Sequence, residues 1–194
     1  MSERHDPDQG VMRFVTDVWP LLALGVIGAL LIRACAPIHS AQPVAGFAPG
    51  FDASNAVRVG NWHAMAALDA LAPDADAARV LEALNLPVID FAPGSAMLPD
   101  PAEPLLVRVA AVIVARPPNE RYEICGHTDG TGSPLADLEL SRQRAQAVAD
   151  FLVNQGVARE RVQARGAGDA EPVAHDATDE ARFRNRRLAF AMLP

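Results

Sequence analysis

The sequence predicts an α+β domain in which helices pack on one mixed sheet, preceded by an N-terminal transmembrane helix. Strand-like and helix-like segments alternate from Pro87 to the C-terminus, which is typical of helices packed on a single mixed sheet. Residues 14–32 are a nearly uncharged apolar run. The 194 residues, half of them apolar, are enough for one well-packed domain plus accessory segments.

The apolar run, FVTDVWPLLALGVIGALLI, carries no charge from Val18 onward. As a helix, its length of about 28 Å matches a hydrocarbon core of about 30 Å. Arg4 and Arg13 precede it and Arg33 follows it, which favours a cytoplasmic N-terminus. We therefore expect residues 1–13 in the cytoplasm, a single inner-membrane span at 14–32 and a periplasmic C-terminal domain.

Two alternatives for the N-terminus stay open. A signal peptide could be cut after Ala36, although we expect Pro37 to block that cut. An outer-membrane lipoprotein could be acylated at Cys35, although Arg33 is out of character for an acylation site. Asp17 is interpreted as a headgroup-region carboxylate at the helix start, with a proton-carrying acid inside the membrane as the alternative.

Residues 33–53 are rich in Pro, Gly and Ala without a period, so they are predicted to be a linker. Residues 54–86 are predicted to hold two short helices, the clearer one at 74–84. Ala77, Val80, Leu81 and Leu84 share one face of that helix. This segment is either a spacer or a small packing extension of the domain.

Strand and helix patterns divide residues 87–194 into seven predicted elements. In order, they are a strand at 88–91, a helix from Asp100 to Pro117, a strand at 121–125, a long helix from about Ala136 with Gly156 just after its end, a strand at 161–165, a short helix at 176–185 and a strand at 187–192.

Local patterns support these elements. Asp100 and Glu103 form a capping-box pattern around Pro101. Tyr122 and Ile124 are predicted to face the core, with Glu123 and Cys125 outward. The predicted buried residues of the two main helices are Leu105, Leu106, Val109, Val112 and Ile113 in the first and Leu140, Ala147, Val148, Phe151 and Leu152 in the second.

The segment GHTDGTGSPLADLELSRQRA at residues 126–145 resembles the signature of the OmpA-like peptidoglycan-binding domain family. The matching positions are Gly126, His127, Thr128, Asp129, Gly132, Leu140, Ser141, Arg144 and Ala145. Residues 91–96 resemble the opening strand and turn of that family, and residues 166–187 resemble its closing stretch. The resemblance covers residues 87–194 and implies a βαβαβ-type two-layer sandwich that binds the diaminopimelate of peptidoglycan stem peptides.

The candidate binding pair is Asp129 and Arg144. The free end of diaminopimelate carries an ammonium and a carboxylate, so its recognition needs one anion and one cation close together. On spacing alone, a surface salt bridge between the two residues is the simpler interpretation. The resemblance favours ligand binding and adds Thr128, Arg187 and position 137. Asp137 replaces the usual Asn there, so a group that can donate becomes an acceptor only.

Other functions find little support in the sequence. The net charge of −7 without a basic block disfavours a nucleic-acid partner. No catalytic residue, cofactor or metal site is predicted. His127 is interpreted as a turn residue that holds its loop by hydrogen bonds rather than as a metal ligand or general base, and Ser141 as a helix hydroxyl rather than a nucleophile.

The predicted function is therefore a non-catalytic anchor that tethers the membrane to the cell wall, with an envelope protein complex as a further partner. The alternative is an ion-driven stator subunit of the MotB type, which joins one membrane helix to the same kind of domain. That alternative needs an acid inside the membrane, whereas Asp17 lies at the edge of the predicted span.

Overall fold

The computed structural model of the protein describes residues 51–194. Among residues 51–194, none of the helices combines the length and the hydropathy that a membrane span requires. The predicted cytoplasmic segment 1–13, the span at 14–32, Cys35 and all but the last residues of the linker lie outside the described residues.

Residues 51–194 form five α-helices and three strands. They are α1 (Ala53–Asp69), α2 (Ala77–Leu84), α3 (Glu103–Ala115), β1 (Arg121–His127), α4 (Pro134–Asn154), β2 (Val162–Gly168), α5 (Asp179–Asn185) and β3 (Leu188–Leu193). Gly156 follows the end of α4 with φ +99°, the conformation expected of a glycine at a helix C-terminus.

The sheet is mixed, as predicted, with β1 in the centre and the order β2-β1-β3. β1 is parallel to β2 and antiparallel to β3. Ile124 stands in register with Ala164 on one side and Phe190 on the other. The residues after β1 therefore leave the sheet between the end of β2 and the start of β3.

Helices α1 to α4 share one hydrophobic core with one face of the sheet. Tyr122 and Ile124 are fully buried in it, as the alternation predicts. Leu68 from α1 and Leu84 from α2 are equally buried in the same core. Residues 54–86 thus pack as part of the domain, and α1 is a 17-residue helix rather than the short one predicted.

The expectation that Glu123 and Cys125 face solvent is wrong. Both are buried, because β1 is the central strand and side chains of both neighbouring strands flank them on that face. Cys125 packs with Ala167, Ala189 and Ala191. On the same face, Arg165 Nε donates to Glu123 Oε1 over 3.1 Å.

The predicted strand at 88–91 is also absent, because two asparagine side chains replace the ladder it would need. Asn61 accepts from Val88 N over 2.8 Å and donates to Val88 O over 2.9 Å. Asn85 makes the equivalent pair of bonds with the backbone of Phe190, at 2.8 and 3.0 Å. The free edge of β3 is therefore closed by a side chain rather than by a fourth strand.

Several predicted helix starts are displaced because other residues supply the caps. Asp52 caps α1, so helix begins one residue inside the predicted linker. Asp76 rather than Asp74 begins α2, accepting from Arg79 N over 2.8 Å. The Asp100 capping box does not form, since a short 3₁₀ turn at Asp100–Ala102 precedes α3. Thr178 caps α5, which starts three residues later than predicted.

Helix α4 lies unusually close to β1 and β2. Gly126 and Gly166 are register partners in the sheet. A Cβ on Gly126 would overlap Ser141 O, and one on Gly166 would lie 2.5 Å from Leu138 O. Ser141 fills the remaining space: its Oγ donates to Leu138 O over 2.8 Å and accepts from Gly168 N over 2.9 Å.

This contact predicts that Gly126→Ala strongly destabilises the fold. The added methyl meets backbone atoms that cannot rotate away, so we expect a loss of about 3 kcal/mol or more in the free energy of unfolding. Gly94→Ala is the control, because Gly94 has φ +67° but no atom within 4 Å of the methyl that the substitution adds. It should lose only about 1 kcal/mol. Equal losses in chemical denaturation would contradict the close-packing argument.

Candidate functional site

The candidate site is a small cleft at the C-terminal end of β1. Three parts of the chain converge there: the segment before α3, the middle of α4, and the turn between α5 and β3. The lining residues are Ile89, Asp90, Phe91, His127, Arg144, Arg186, Arg187 and Leu188. Three arginine residues therefore line one small space, which suits an anionic group of a ligand.

Arg144 is the buried cation of this cleft, only 5% exposed. Its Nε donates to Ser95 O over 2.8 Å and its Nη2 to Ala92 O over 3.1 Å. The guanidinium carbon lies 5.0 Å from the centroid of the Phe91 ring. Burial and the nearby Arg186 lower the pKa of Arg144, while the carboxylates of Asp129, Asp90 and Asp137 oppose that shift.

Arg144 thus has carbonyl partners but no carboxylate bonded to it in residues 51–194. Its two hydrogen bonds use Nε and Nη2, which leaves Nη1 for a ligand. The interpretation of Asp129 and Arg144 as a surface salt bridge is therefore wrong. Arg144 remains a cation able to attract an anion into the cleft.

Asp129 pairs instead with Arg186, whose Nη1 donates to Asp129 Oδ2 over 2.8 Å. Its other oxygen accepts from Thr131 Oγ1 over 2.8 Å. Burial raises the pKa of the Asp129 carboxyl, but the hydrogen bonds from Arg186 and Thr131 outweigh it, so the net pKa is lowered. Asp129 is therefore an anion paired with Arg186, one of the arginines that line the cleft.

Thr128 and Asp137 flank this pair in different ways. Thr128 is 4% exposed, and its Oγ1 has no hydrogen-bond partner among residues 51–194. Asp137, in the first turn of α4, accepts from Gly132 N over 3.2 Å and holds the loop that follows Asp129. The buried face of this half of α4 is polar and consists of Asp137, Ser141 and Arg144, whereas Leu140 is only half-buried.

Both arginines after α5 line the cleft, although only Arg187 was predicted to belong to the site. Arg187 Nη2 donates to Glu171 O over 3.1 Å. Two consecutive residues of a strand point to opposite faces, so strand alternation predicts that only one of these two arginines faces the cleft. Here α5 ends at Asn185 and β3 begins at Leu188, and the turn between them turns both side chains toward the cleft.

We predicted that His127 holds its loop by hydrogen bonds, and for the side chain this prediction is wrong. His127 ends β1, and its backbone N donates to Arg187 O over 2.9 Å. Neither ring nitrogen has a hydrogen-bond partner within the described residues. In the same part of the chain, no group of three or more His, Cys, Asp or Glu side chains is arranged to hold a metal ion.

Comparison with known proteins now identifies the domain. Residues 90–186 match the OmpA family. The chain belongs to the OmpA family. This confirms the resemblance drawn from residues 126–145, the segment that supplies His127, Asp129 and Arg144 to the site.

Curated relatives and solved structures agree with this assignment. The chain is 40% identical over 117 residues to the peptidoglycan-binding protein ArfA of Mycobacterium tuberculosis, covering 60% of this chain and 35% of ArfA. It is 35% identical over 112 residues to the probable lipoprotein YiaD of Escherichia coli, covering 57% of this chain and 51% of YiaD. The chain thus spans about a third to a half of the length of these two relatives.

The peptidoglycan-associated lipoprotein of Burkholderia pseudomallei has the same fold. Its crystal structure aligns with a TM-score of 0.51 at 28% identity, over 54% of this chain and 88% of that one. The helices packed on a mixed sheet are therefore the architecture of this OmpA domain.

The lowered pKa of Asp129 predicts a pH-dependent contribution to stability. The ionised Asp129 stabilises the fold, and its contribution is fully present above the unfolded-state pKa of about 3.9. That contribution is lost as the pH falls through the lower pKa of the folded state. Asp129→Asn should lower the free energy of unfolding by about 1–2 kcal/mol at pH 7, with a deficit that shrinks below about pH 4.

Denaturant unfolding at several pH values measures this deficit. Asp150→Asn is the control, because its pair with Arg159 is largely exposed and should cost less at pH 7. A deficit for Asp129→Asn that is the same at pH 3 and pH 7 would contradict the proposed ion pair.

Proposed function

We propose that this OmpA domain binds peptidoglycan noncovalently through the diaminopimelate of its stem peptides. The protein is then a non-catalytic anchor that tethers the membrane to the cell wall. The observation that carries the proposal is a cleft lined by buried Arg144 and by Arg186, with Asp129 paired to that Arg186 beside it.

The charges of the cleft suit a zwitterion. The free end of diaminopimelate presents a carboxylate to Arg144 and Arg186 and an ammonium to Asp129. Binding exchanges the Asp129–Arg186 pair for two pairs with the ligand, so no charge is left without a partner. That exchange matters because an unpaired charge in a desolvated site is strongly unfavourable.

The lining of the cleft supports binding rather than catalysis. Its ionisable groups are three arginines, Asp90 and His127, and no serine, cysteine or second close carboxylate lines it within the described residues. A glycosidase would need two acting carboxylates at defined separation. The arrangement has the cations for holding an anion but lacks a nucleophile.

The names of the relatives support the same function. ArfA is named a peptidoglycan-binding protein, and the Burkholderia protein a peptidoglycan-associated lipoprotein. In our proposal the domain lies in the periplasm, attached by a single inner-membrane span at 14–32. Acylation at Cys35 is the alternative anchor, and the stator alternative depends on Asp17; both residues lie outside the described range.

The proposed binding predicts the effect of removing the charged residues at the cleft. Asp129→Ala, Arg144→Ala and Arg186→Ala should each weaken co-sedimentation of the full chain with purified sacculi. Each variant leaves a ligand charge or its partner unpaired in the cleft, which costs roughly 2–5 kcal/mol. That corresponds to a tens- to thousandfold weaker affinity.

Arg142→Ala is the matched control. It removes the same kind of side chain two residues from Arg144, but Arg142 is exposed and pairs with Glu139 on the surface of α4. Its binding should equal that of the wild type. If Asp129→Ala and Arg186→Ala both pellet with sacculi like the wild type, the ion pair has only a structural role.

The proposed binding also predicts the effect of a substitution at Asp137. Asp137→Asn keeps an oxygen for the bond from Gly132 N, adds a donor and removes one negative charge near the cleft. Binding to sacculi should stay equal or become tighter, as measured by the fraction pelleted across a concentration series. A clear loss of binding would mean that the carboxylate itself takes part in recognition.

A further inference from the structure

The His127 side chain, which lines the cleft, has two buried ring nitrogens without hydrogen-bond partners in the described residues. It is 2% exposed, yet neither Nδ1 nor Nε2 has a hydrogen-bond partner among residues 51–194. Buried polar groups in folded proteins are almost always hydrogen-bonded. A histidine without a partner that also lines a cleft is therefore placed to bond a ligand.

The surroundings restrict what that ligand atom can be. Arg144, Arg186, Arg187 and Asp90 line the same cleft, and none of them is hydrogen-bonded to the His127 ring. An imidazole ring carries at least one N–H donor in either protonation state. Arginine has no acceptor and the Asp90 carboxylate does not bond the ring, so the ring N–H is left for an acceptor that a ligand brings. Three guanidiniums at the same place favour a carboxylate as that acceptor.

We propose that the His127 ring N–H donates to the carboxylate that Arg144 and Arg186 attract, and that His127 is thereby a specificity-determining residue. The inference rests on the proposed function and deepens it. It predicts a preference for stem peptides whose third residue carries a side-chain carboxylate, as in diaminopimelate. Peptides with lysine there lack the acceptor.

The test is a comparison of two soluble probes. The full chain in detergent is titrated calorimetrically with a stem tripeptide carrying diaminopimelate and with the same tripeptide carrying lysine. His127→Leu removes the donor at similar size, and His127→Gln keeps an N–H donor. His63→Leu is the control, because His63 is exposed on α1.

His127→Leu should bind the diaminopimelate peptide about ten- to a hundredfold more weakly. Its affinity for the lysine peptide should not change. The thermal melting temperature should stay equal or rise, since a buried polar group without a partner is removed. His127→Gln should regain part of the lost affinity, and His63→Leu should behave as the wild type.

The outcomes separate the two proposals. If the wild type binds the diaminopimelate peptide and His127→Leu binds it equally well, the role of His127 is wrong and the proposed function stands. Equal weakening toward both peptides, or a melting temperature several degrees lower without rescue by His127→Gln, also overturns that role. If the wild type binds neither peptide nor sacculi, the proposed function itself fails.

Discussion

The contact between Ser141 and the glycine pair Gly126 and Gly166 is the constraint on which the site depends. At this point the backbone of α4 lies against β1 and β2 so closely that neither strand has room for a side chain. Asp129 follows Gly126 by three residues, and Arg144 follows Ser141 by three. Because the strand and the helix are held together there, the anion and the cation of the cleft are brought to the same end of the sheet. The signature segment thus specifies the packing and the site together.

Arg116, which is half-buried, and Arg144, which is buried, have different hydrogen-bond partners. Arg116, beside the start of β1, forms a bidentate pair with Glu120 at 2.8 and 3.0 Å, which lowers the pKa of Glu120. Its charge is neutralised within the domain. Arg144 is held by the carbonyls of Ala92 and Ser95 instead. Carbonyl oxygens orient a guanidinium without cancelling its charge, so Arg144 keeps its attraction for an outside anion. Arg116 is in this sense structural, whereas Arg144 is arranged for binding.

The mixed sheet, the long helix α4 and the core positions Tyr122 and Ile124 were predictable because they follow from apolar periodicity. The segment 88–91 has the same periodicity, but Asn61 and Asn85, distant in sequence, occupy the backbone groups it would need. The outward direction of Cys125 failed for a related reason, since alternation does not tell whether a second face is covered. At the site, the motif supplied Asp129 and Arg144, whereas the pairing of Asp129 with Arg186 depends on where α5 ends. Periodicity predicts which way a side chain faces within its own helix or strand. The errors come from contacts between residues that are distant in sequence, which periodicity does not predict.

The central claim is that a zwitterionic ligand replaces the Asp129–Arg186 pair. A crystal structure of the protein with a diaminopimelate-containing stem peptide tests it most directly. The account predicts the ligand ammonium within about 3 Å of an Asp129 carboxylate oxygen, a distance typical of charged hydrogen bonds. It predicts the ligand carboxylate between Arg144 and Arg186, with the Asp129–Arg186 bond opened. A ligand bound elsewhere on the domain, with that bond intact at its present 2.8 Å, would contradict the account.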